Sequence, residues 1–310
     1  MDFDPDTDIP DLSGNVIFIT GGTAGIGKAT LLYLAEHSPA HIYFTGRNKT
    51  AAAEIISTAK EIDSELPVTF VRMDLGSTSS VQAAVDGFLQ KERRLDILIL
   101  NAGVCGIAPN LTEDGYEIQF GINHMGHFAL AEQLLPLLLA TAQDKKEKEG
   151  EDQGVRVVTL TAKGHSVQPK YGIDFASLKS TMPNTHTWTR YGQSKLANLL
   201  FAKELARRYG GKGITSVAVH PGITGTNLVK QMGWVNRMLM HTYGGDAQTP
   251  EDGAMNVLWA ATSDDVENGE VYEPVGEKGP VPKDGMNEEL ARKLWDWSEK
   301  EVRGARAAAA

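Results

Sequence analysis

The stretch TGGTAGIG, residues 20–27, decides the fold. It closes the apolar run NVIFIT (15–20) and passes at once into helical sequence over 25–37. Gly21, Gly25 and Gly27 permit a tight turn, a close approach of backbone to ligand, and close packing of helix on strand. The N–H groups exposed at the start of a helix then favour a phosphate. Three glycines by themselves describe any turn. Their setting between a strand and a helix, at the first βα junction of the chain, makes the signal specific.

Working outward, short β-branched runs alternate with longer helical patterns. HIYFTG (41–46), VTFVRMD (68–74), LDILILNAG (95–103), RVVTLT (156–161) and ITSVAVHPG (214–222) have strand length and composition. Helical spacing occupies 49–64, 77–92, 113–141 and 191–209 between them. The alternation predicts an α/β chain: one Rossmann domain over 1–310, with a doubly wound parallel sheet of about seven strands flanked by helices. Three segments stand apart. QDKKEKEGEDQG (143–154) reads as a charged surface loop, and 223–285 as a substrate lid region, its stretch 228–245 rich in Met, Trp and Leu. RGARAAAA (303–310) reads as a frayed tail.

Composition sets limits on partners. A net charge of −10 with no basic stripe argues against nucleic acid. A single cysteine, Cys105, excludes an internal disulfide framework and fits a reducing, cytoplasmic setting. The acidic N-terminus MDFDPDTDIPDLSG lacks the apolar core of a secretory signal. No apolar run reaches the ~18 residues of a membrane span, and ALAEQLLPLLLATA (129–142), with Glu132 and Pro136, reads as a core helix. His124 and His127 are helix neighbours, but no third ligand keeps a metal-site spacing with them, so no metal is expected.

The second strand ends in TGRN. A carboxylate there would hold the ribose 2′-hydroxyl of NAD(H); the chain instead has Gly46 and Arg47, and a guanidinium suits the 2′-phosphate of NADP(H).

With its spacing TGxxxGxG, together with LNAG (100–103), YGQSK (191–195) and HPGITGT (220–226) in that order, the chain resembles the short-chain dehydrogenase/reductase family over roughly residues 14–275. INHMGHFAL (122–130) and SKLANLLFAKELARR (194–208) resemble its retinol-dehydrogenase-like branch, which includes many fungal carbonyl reductases. The resemblance implies cofactor contacts from Thr23 and Ile26 in the glycine loop and from Asn48 beside Arg47. It places Asp74 and Leu75 at the adenine, and Asn101, Ala102 and Gly103 along the cofactor. Pro221, Gly222, Ile223 and Thr226 would flank the nicotinamide, with Asn123 holding a water of the proton relay. It also implies a homodimer or homotetramer built on 113–141 and 191–209.

Tyr191 and Lys195 are four residues apart, so one helix face carries both heads. A phenol ordinarily titrates near ~10. A nearby ammonium, helped by oxidised nicotinamide, favours the phenolate and lowers that value. Tyr191 would exchange a proton with the substrate oxygen, and Lys195 would also hold the nicotinamide ribose. The family's remaining catalytic group is a Ser at the end of the fifth strand, and here RVVTLTA puts Ala162 at that position, with Thr161 before it. Strand alternation points Thr161 away from the site unless the strand twists locally. Three readings fit the alanine: an engineered Ser→Ala replacement, a natural enzyme that uses another hydroxyl, or a relative without reductase turnover. The expected activity is an NADP(H)-dependent interconversion of a ketone or aldehyde with an alcohol, on a medium-sized and largely apolar substrate. The rival reading is a cofactor-binding protein that senses, scaffolds or performs non-redox chemistry.

Overall fold

The computed structural model describes residues 3–148, 154–222 and 248–309. Its strands are β1 (Val16–Ile19), β2 (His41–Gly46), β3 (Val68–Arg72), β4 (Ile97–Leu100), β5 (Val155–Leu160), β6 (Ile214–Val219) and β7 (Val271–Tyr272). They form one sheet in the order β3-β2-β1-β4-β5-β6-β7, and every pairing is parallel. The main helices are α1 (Gly25–Ala35), α2 (Lys49–Ile62), α3 (Thr78–Leu89), α4 (Gly126–Lys148), α5 (Thr187–Tyr209), α6 (Pro250–Thr262) and α7 (Glu288–Ala309).

Strand alternation builds two cores from each central strand. Val16 and Phe18 of β1 join Leu98 and Leu100 of β4 beneath α3, α4, α5 and α7. Ile17 and Ile19, with Ile97 and Ile99, face the opposite way and meet α1, α2 and α6. Both faces of the sheet are covered, so its central strands are apolar throughout rather than alternating with polar residues. Strand order reverses between β1 and β4, where β1 sends its chain to β2 on one side and β4 lies on the other. A crevice at the carboxyl ends of those strands is the ligand position in such sheets.

Three expectations change. The charged run does not start a loop at residue 143, because α4 continues to Lys148. Its Lys148–Asp144 pair at 2.6 Å and its Lys145–Asp96 pair at 3.5 Å place positive charge at a helix C-terminus, where the dipole favours it. The tail is helical to Ala309. Alanine is the strongest helix former, and Arg303 and Arg306 lie 3.9 and 3.5 Å from Glu132 of α4. In the expected lid region, residues 223–247 lie outside those described. Of the following part, α6 buries Ala254, Val257 and Leu258 against α1, and β7 completes the sheet.

The helical stretch Ile118–Lys148 has a window long and apolar enough to cross a membrane, and 67% of that window is buried inside the fold. Phe128 and Leu134 within it belong to the first core. The helices expected to form an oligomer interface carry α7 of the same chain: Trp295 packs 5.8 Å from Phe201 of α5 and 5.1 Å from Phe128 of α4, measured between ring centres.

Candidate active site

The glycine loop turns as its sequence requires. Gly21 and Gly25 have φ of +72° and +56°, which residues with a side chain rarely adopt. A Cβ on Gly27 would sit 2.4 Å from the Asn101 side-chain nitrogen and 2.5 Å from the Gly21 carbonyl, so α1 can approach β4 only with glycine there. Ala24, at the N-cap of α1, supplies no side-chain cap, so among the described residues the first N–H groups of the helix are not capped by it. The Thr20 hydroxyl accepts from the amides of Asn101 (2.9 Å) and Ala102 (3.0 Å), and the Asn101 side chain donates to the Thr20 carbonyl at 2.8 Å. These bonds lock β1 and β4 together at the point where strand order reverses.

A cavity of about 420 Å³ opens there. Gly21, Thr23, Gly25, Ile26, Arg47, Asp74, Leu75, Asn101, Ala102, Gly103, Tyr191, Lys195, Pro221 and Gly222 line it, as does Ala162. Two expected cofactor residues, Gly27 and Asn48, do not line it. Gly27 serves helix packing, and Asn48 caps α2 by accepting from the amides of Thr50 and Ala51 at 3.0 and 3.2 Å. Ile223 and Thr226 lie outside the described residues. At the far end, Arg47 stands 4.0 Å from the Asp74 carboxylate, with the two side chains 68% and 47% exposed. So exposed a pair is worth about 0–1 kcal/mol, which leaves the guanidinium available to a stronger anion. A Cβ on Gly126 would fall 2.3 Å from the Leu75 carbonyl, so the absence of a side chain there lets α4 reach the expected adenine segment.

At the other end stand Tyr191 and Lys195 on α5, the lysine buried and the tyrosine half-buried at the cavity wall, the ammonium 5.9 Å from the centre of the phenol ring. Lys195 donates to the Leu160 carbonyl at 3.0 Å. Burial pushes the Lys195 ammonium down to about 8, opposed by Cys105, and pushes the Tyr191 phenol well above its ordinary value. In the chain by itself, therefore, desolvation outweighs the expected pull of Lys195 on Tyr191. Asn123 does not line the cavity. It sits behind Gly103, accepting from the Val104 amide (2.8 Å) and donating to the Val104 carbonyl and the Ser194 hydroxyl (2.9 Å each). Ser194 in turn donates to the Tyr191 carbonyl at 2.7 Å.

Ala162 has extended backbone (φ −159°, ψ 158°), so alternation holds past the end of β5. Thr161 donates its hydroxyl proton to the Lys195 carbonyl of α5 at 2.9 Å.

Several lining residues escaped sequence reading: Val104, Cys105, Lys163, Gly164 and His220. The Cys105 thiol hydrogen-bonds Tyr191, and burial raises it to about 12. Gly164 lies against the phenol ring, where a Cβ would stand 3.0 Å from two ring carbons. Lys163 pairs with Glu273 at 2.6 Å across the cavity rim. LNAG and HPG mark the loops that carry Cys105 and His220, so closeness to those motifs was the available signal. A buried pair supports the whole assembly: Arg190, one residue before Tyr191, meets Glu117 at 2.5 Å and donates to the Ile107 carbonyl at 2.9 Å. Glu117 also accepts from the Phe120 amide, at 2.8 Å. His124 and His127 spend their ring nitrogens within the protein, on Ser298 (3.0 Å), Thr20 (2.8 Å) and the Asn123 carbonyl (2.9 Å).

This geometry has counterparts in known proteins. The short chain dehydrogenase family model matches residues 15–151. The short-chain dehydrogenase/reductase drtF of Aspergillus calidoustus is 37% identical over 308 residues, covering 95% of this chain and 96% of that protein. Human retinol dehydrogenase 14 is 36% identical, covering 93% and 86%. A crystal structure of an uncharacterized protein from Mycobacterium Paratuberculosis superposes with a TM-score of 0.73 at 28% identity, covering 96% of this chain and 97% of that one. The chain belongs to the short-chain dehydrogenase/reductase family of nicotinamide-dependent oxidoreductases. Within it, the chain falls in the retinol-dehydrogenase-like branch.

Proposed function

We propose that this protein is an NADP(H)-dependent oxidoreductase that interconverts a ketone or aldehyde and an alcohol on a medium-sized, largely apolar substrate, with catalysis weakened by Ala162. The observation that carries the proposal is the convergence of Tyr191 and Lys195, braced by Asn123, on a cavity whose other end is a glycine turn and an uncapped helix start. The residues fit the cofactor. The glycine positions leave room where a Cβ would clash, the N–H groups of α1 suit a pyrophosphate, and Arg47 supports a 2′-phosphate. Leu75 and Asp74 would hold the adenine, and Lys195 the nicotinamide ribose.

A bound nicotinamide supplies or accepts the hydride. Tyr191 gives its phenolic proton to the carbonyl oxygen, so that carbonyl, hydride and proton become the alcohol; oxidation runs the same transfer backwards. The raised pKa keeps Tyr191 protonated at neutral pH, ready for reduction. Lys195 spreads positive charge toward the phenol and restores it after transfer. Val104, Leu160 and Trp188 supply apolar lining on this side. The reading extends to a cytoplasmic protein and to a homo-oligomer, whose contacts must reach past the α4 and α5 surface that α7 covers.

The test uses the Ala162→Ser chain, to raise the signal, and its Tyr191→Phe derivative. Removing the acid is expected to lower NADPH-dependent ketone reduction by about 10²- to 10⁴-fold while NADPH binding stays within about threefold. Equal turnover in the two chains would show that Tyr191 is not the proton donor.

A further inference from the structure

One buried side chain that this mechanism leaves unused is His127, in the first turn of α4. Its Nε2 lies 2.8 Å from the Thr20 hydroxyl and its Nδ1 lies 2.9 Å from the Asn123 carbonyl. The neighbouring bonds decide where the ring proton sits. Thr20 Oγ1 already accepts two amides, from Asn101 and Ala102, which uses both of its lone pairs. Its own proton must leave toward an acceptor. The Ile99 carbonyl stands at 3.4 Å, whereas Nε2 stands at 2.8 Å. Nε2 is therefore the bare nitrogen, Nδ1 carries the hydrogen, and Nδ1–H donates to Asn123.

The carbonyl so held lies in an irregular turn. Over Gly121–Met125 the helix is wound as a π turn, and the Gly126 amide reaches back to Gly121. Departures from the regular ladder of this kind place backbone groups that a plain helix would not. Asn123 thus hangs from His127 by its carbonyl and braces Val104 and Ser194 by its side chain, and Ser194 holds the Tyr191 carbonyl. Through Thr20, the same imidazole is tied to the strand end that begins the glycine turn. The titratable groups facing it are Lys195, from α5, and His124, from the π turn.

We propose that His127, fixed as the neutral Nδ1–H tautomer, is a positioning residue that couples the glycine turn at Thr20 to the Tyr191–Lys195 pair through the Asn123 carbonyl. This rests on the reading of Tyr191 as the proton donor, but its first test does not. Long-range ¹⁵N NMR of the imidazole should show protonated Nδ1 and bare Nε2 from about pH 5 to pH 8. An Nε2–H tautomer, or an imidazolium in that range, overturns the proposal.

The second test compares His127→Asn, His127→Gln and His127→Leu, each shown to be folded by thermal melting. An Asn amide stands where Nδ1 does and keeps the bond to Asn123; Gln reaches the Nε2 position and Leu keeps only bulk. With NADP⁺ bound, the phenol titration of Tyr191 is read as the ultraviolet difference between each chain and its Tyr191→Phe counterpart. It should stay near the parent value in the Asn variant and shift in the Gln and Leu variants. In the Ala162→Ser background, kcat for a ketone should fall about 10- to 100-fold in Leu and Gln and recover in Asn, with the KM for NADPH little changed. Identical titrations in all three folded variants would refute the coupling. A shifted titration without turnover in any chain would count against the proposed activity alone.

Discussion

In the proposed mechanism, Ala162 stands where a hydroxyl would bind the substrate oxygen. A positioned donor to a developing oxyanion is worth about 10² to 10³ in rate, or roughly 2.7–4 kcal/mol. The backbone there is extended, and the Thr161 proton is committed to the Lys195 carbonyl, so the hydroxyl next in sequence is held away from the position. At the other end of the cavity, among the described residues, Arg47 is held by a long, exposed contact with Asp74. Arg47→Ala should weaken NADPH binding by about 10- to 100-fold, the scale of one charge-assisted bidentate contact, and leave NADH binding within about twofold. Fluorescence titration with both nucleotides measures this directly. An equal loss for both would mean that Arg47 supports the turn rather than recognising a phosphate.

Between elements, the pair Arg190–Glu117 fastens the start of α5 to the segment leading into the π turn, while Arg190 also holds the Ile107 carbonyl of the loop that carries Cys105. Both charges are buried, so removing one leaves the other without compensation. Glu117→Ala should cost about 3–5 kcal/mol in urea unfolding, and replacing both residues by Leu and Met should recover much of it. A loss below about 1 kcal/mol in the single variant would show that water reaches the arginine. Elements were also where the sequence was most legible. Strand-length β-branched runs and the glycine turn pointed to β1 through β6, most clearly at β1 and β4, where every residue is buried. Helix α7 went unread, although Leu290, Leu294, Ser298 and Val302 recur at helical spacing and reach the core or its edge. Its many charged residues dilute that apolar stripe. The bonds of His127 to Thr20 and of Cys105 to Tyr191 were illegible for another reason. They join residues 107 and 86 positions apart, and only the assembled sheet brings them together.

Across the whole molecule, the buried histidines are expected to weaken the fold in acid. His124 is held down to about 3 and His127 to about 4, burial being the main cause in each. Below the ordinary value of 6.5 the unfolded chain binds protons at these positions that the folded chain refuses. Their contribution to stability is complete above that value and drains as pH falls toward the folded values, at up to about 1.4 kcal/mol per pH unit for each. Melting temperature should fall between about pH 6.5 and pH 4, and His124→Asn should flatten that slope even while lowering the melting point at neutral pH. An unchanged slope would place the acid response in other groups.

The sheet, the glycine turn and the Tyr191–Lys195 pair support the proposal of a carbonyl reductase site without the serine hydroxyl. The measurement that tests it most directly is NADPH oxidation by this chain and by Ala162→Ser over one panel of apolar ketones, with cofactor binding verified in both. The expected result is weak turnover in the first and a gain of about 10²- to 10³-fold in the second. Tight cofactor binding with no turnover in either chain would contradict it, and would make the protein a nucleotide binder that has left reduction behind.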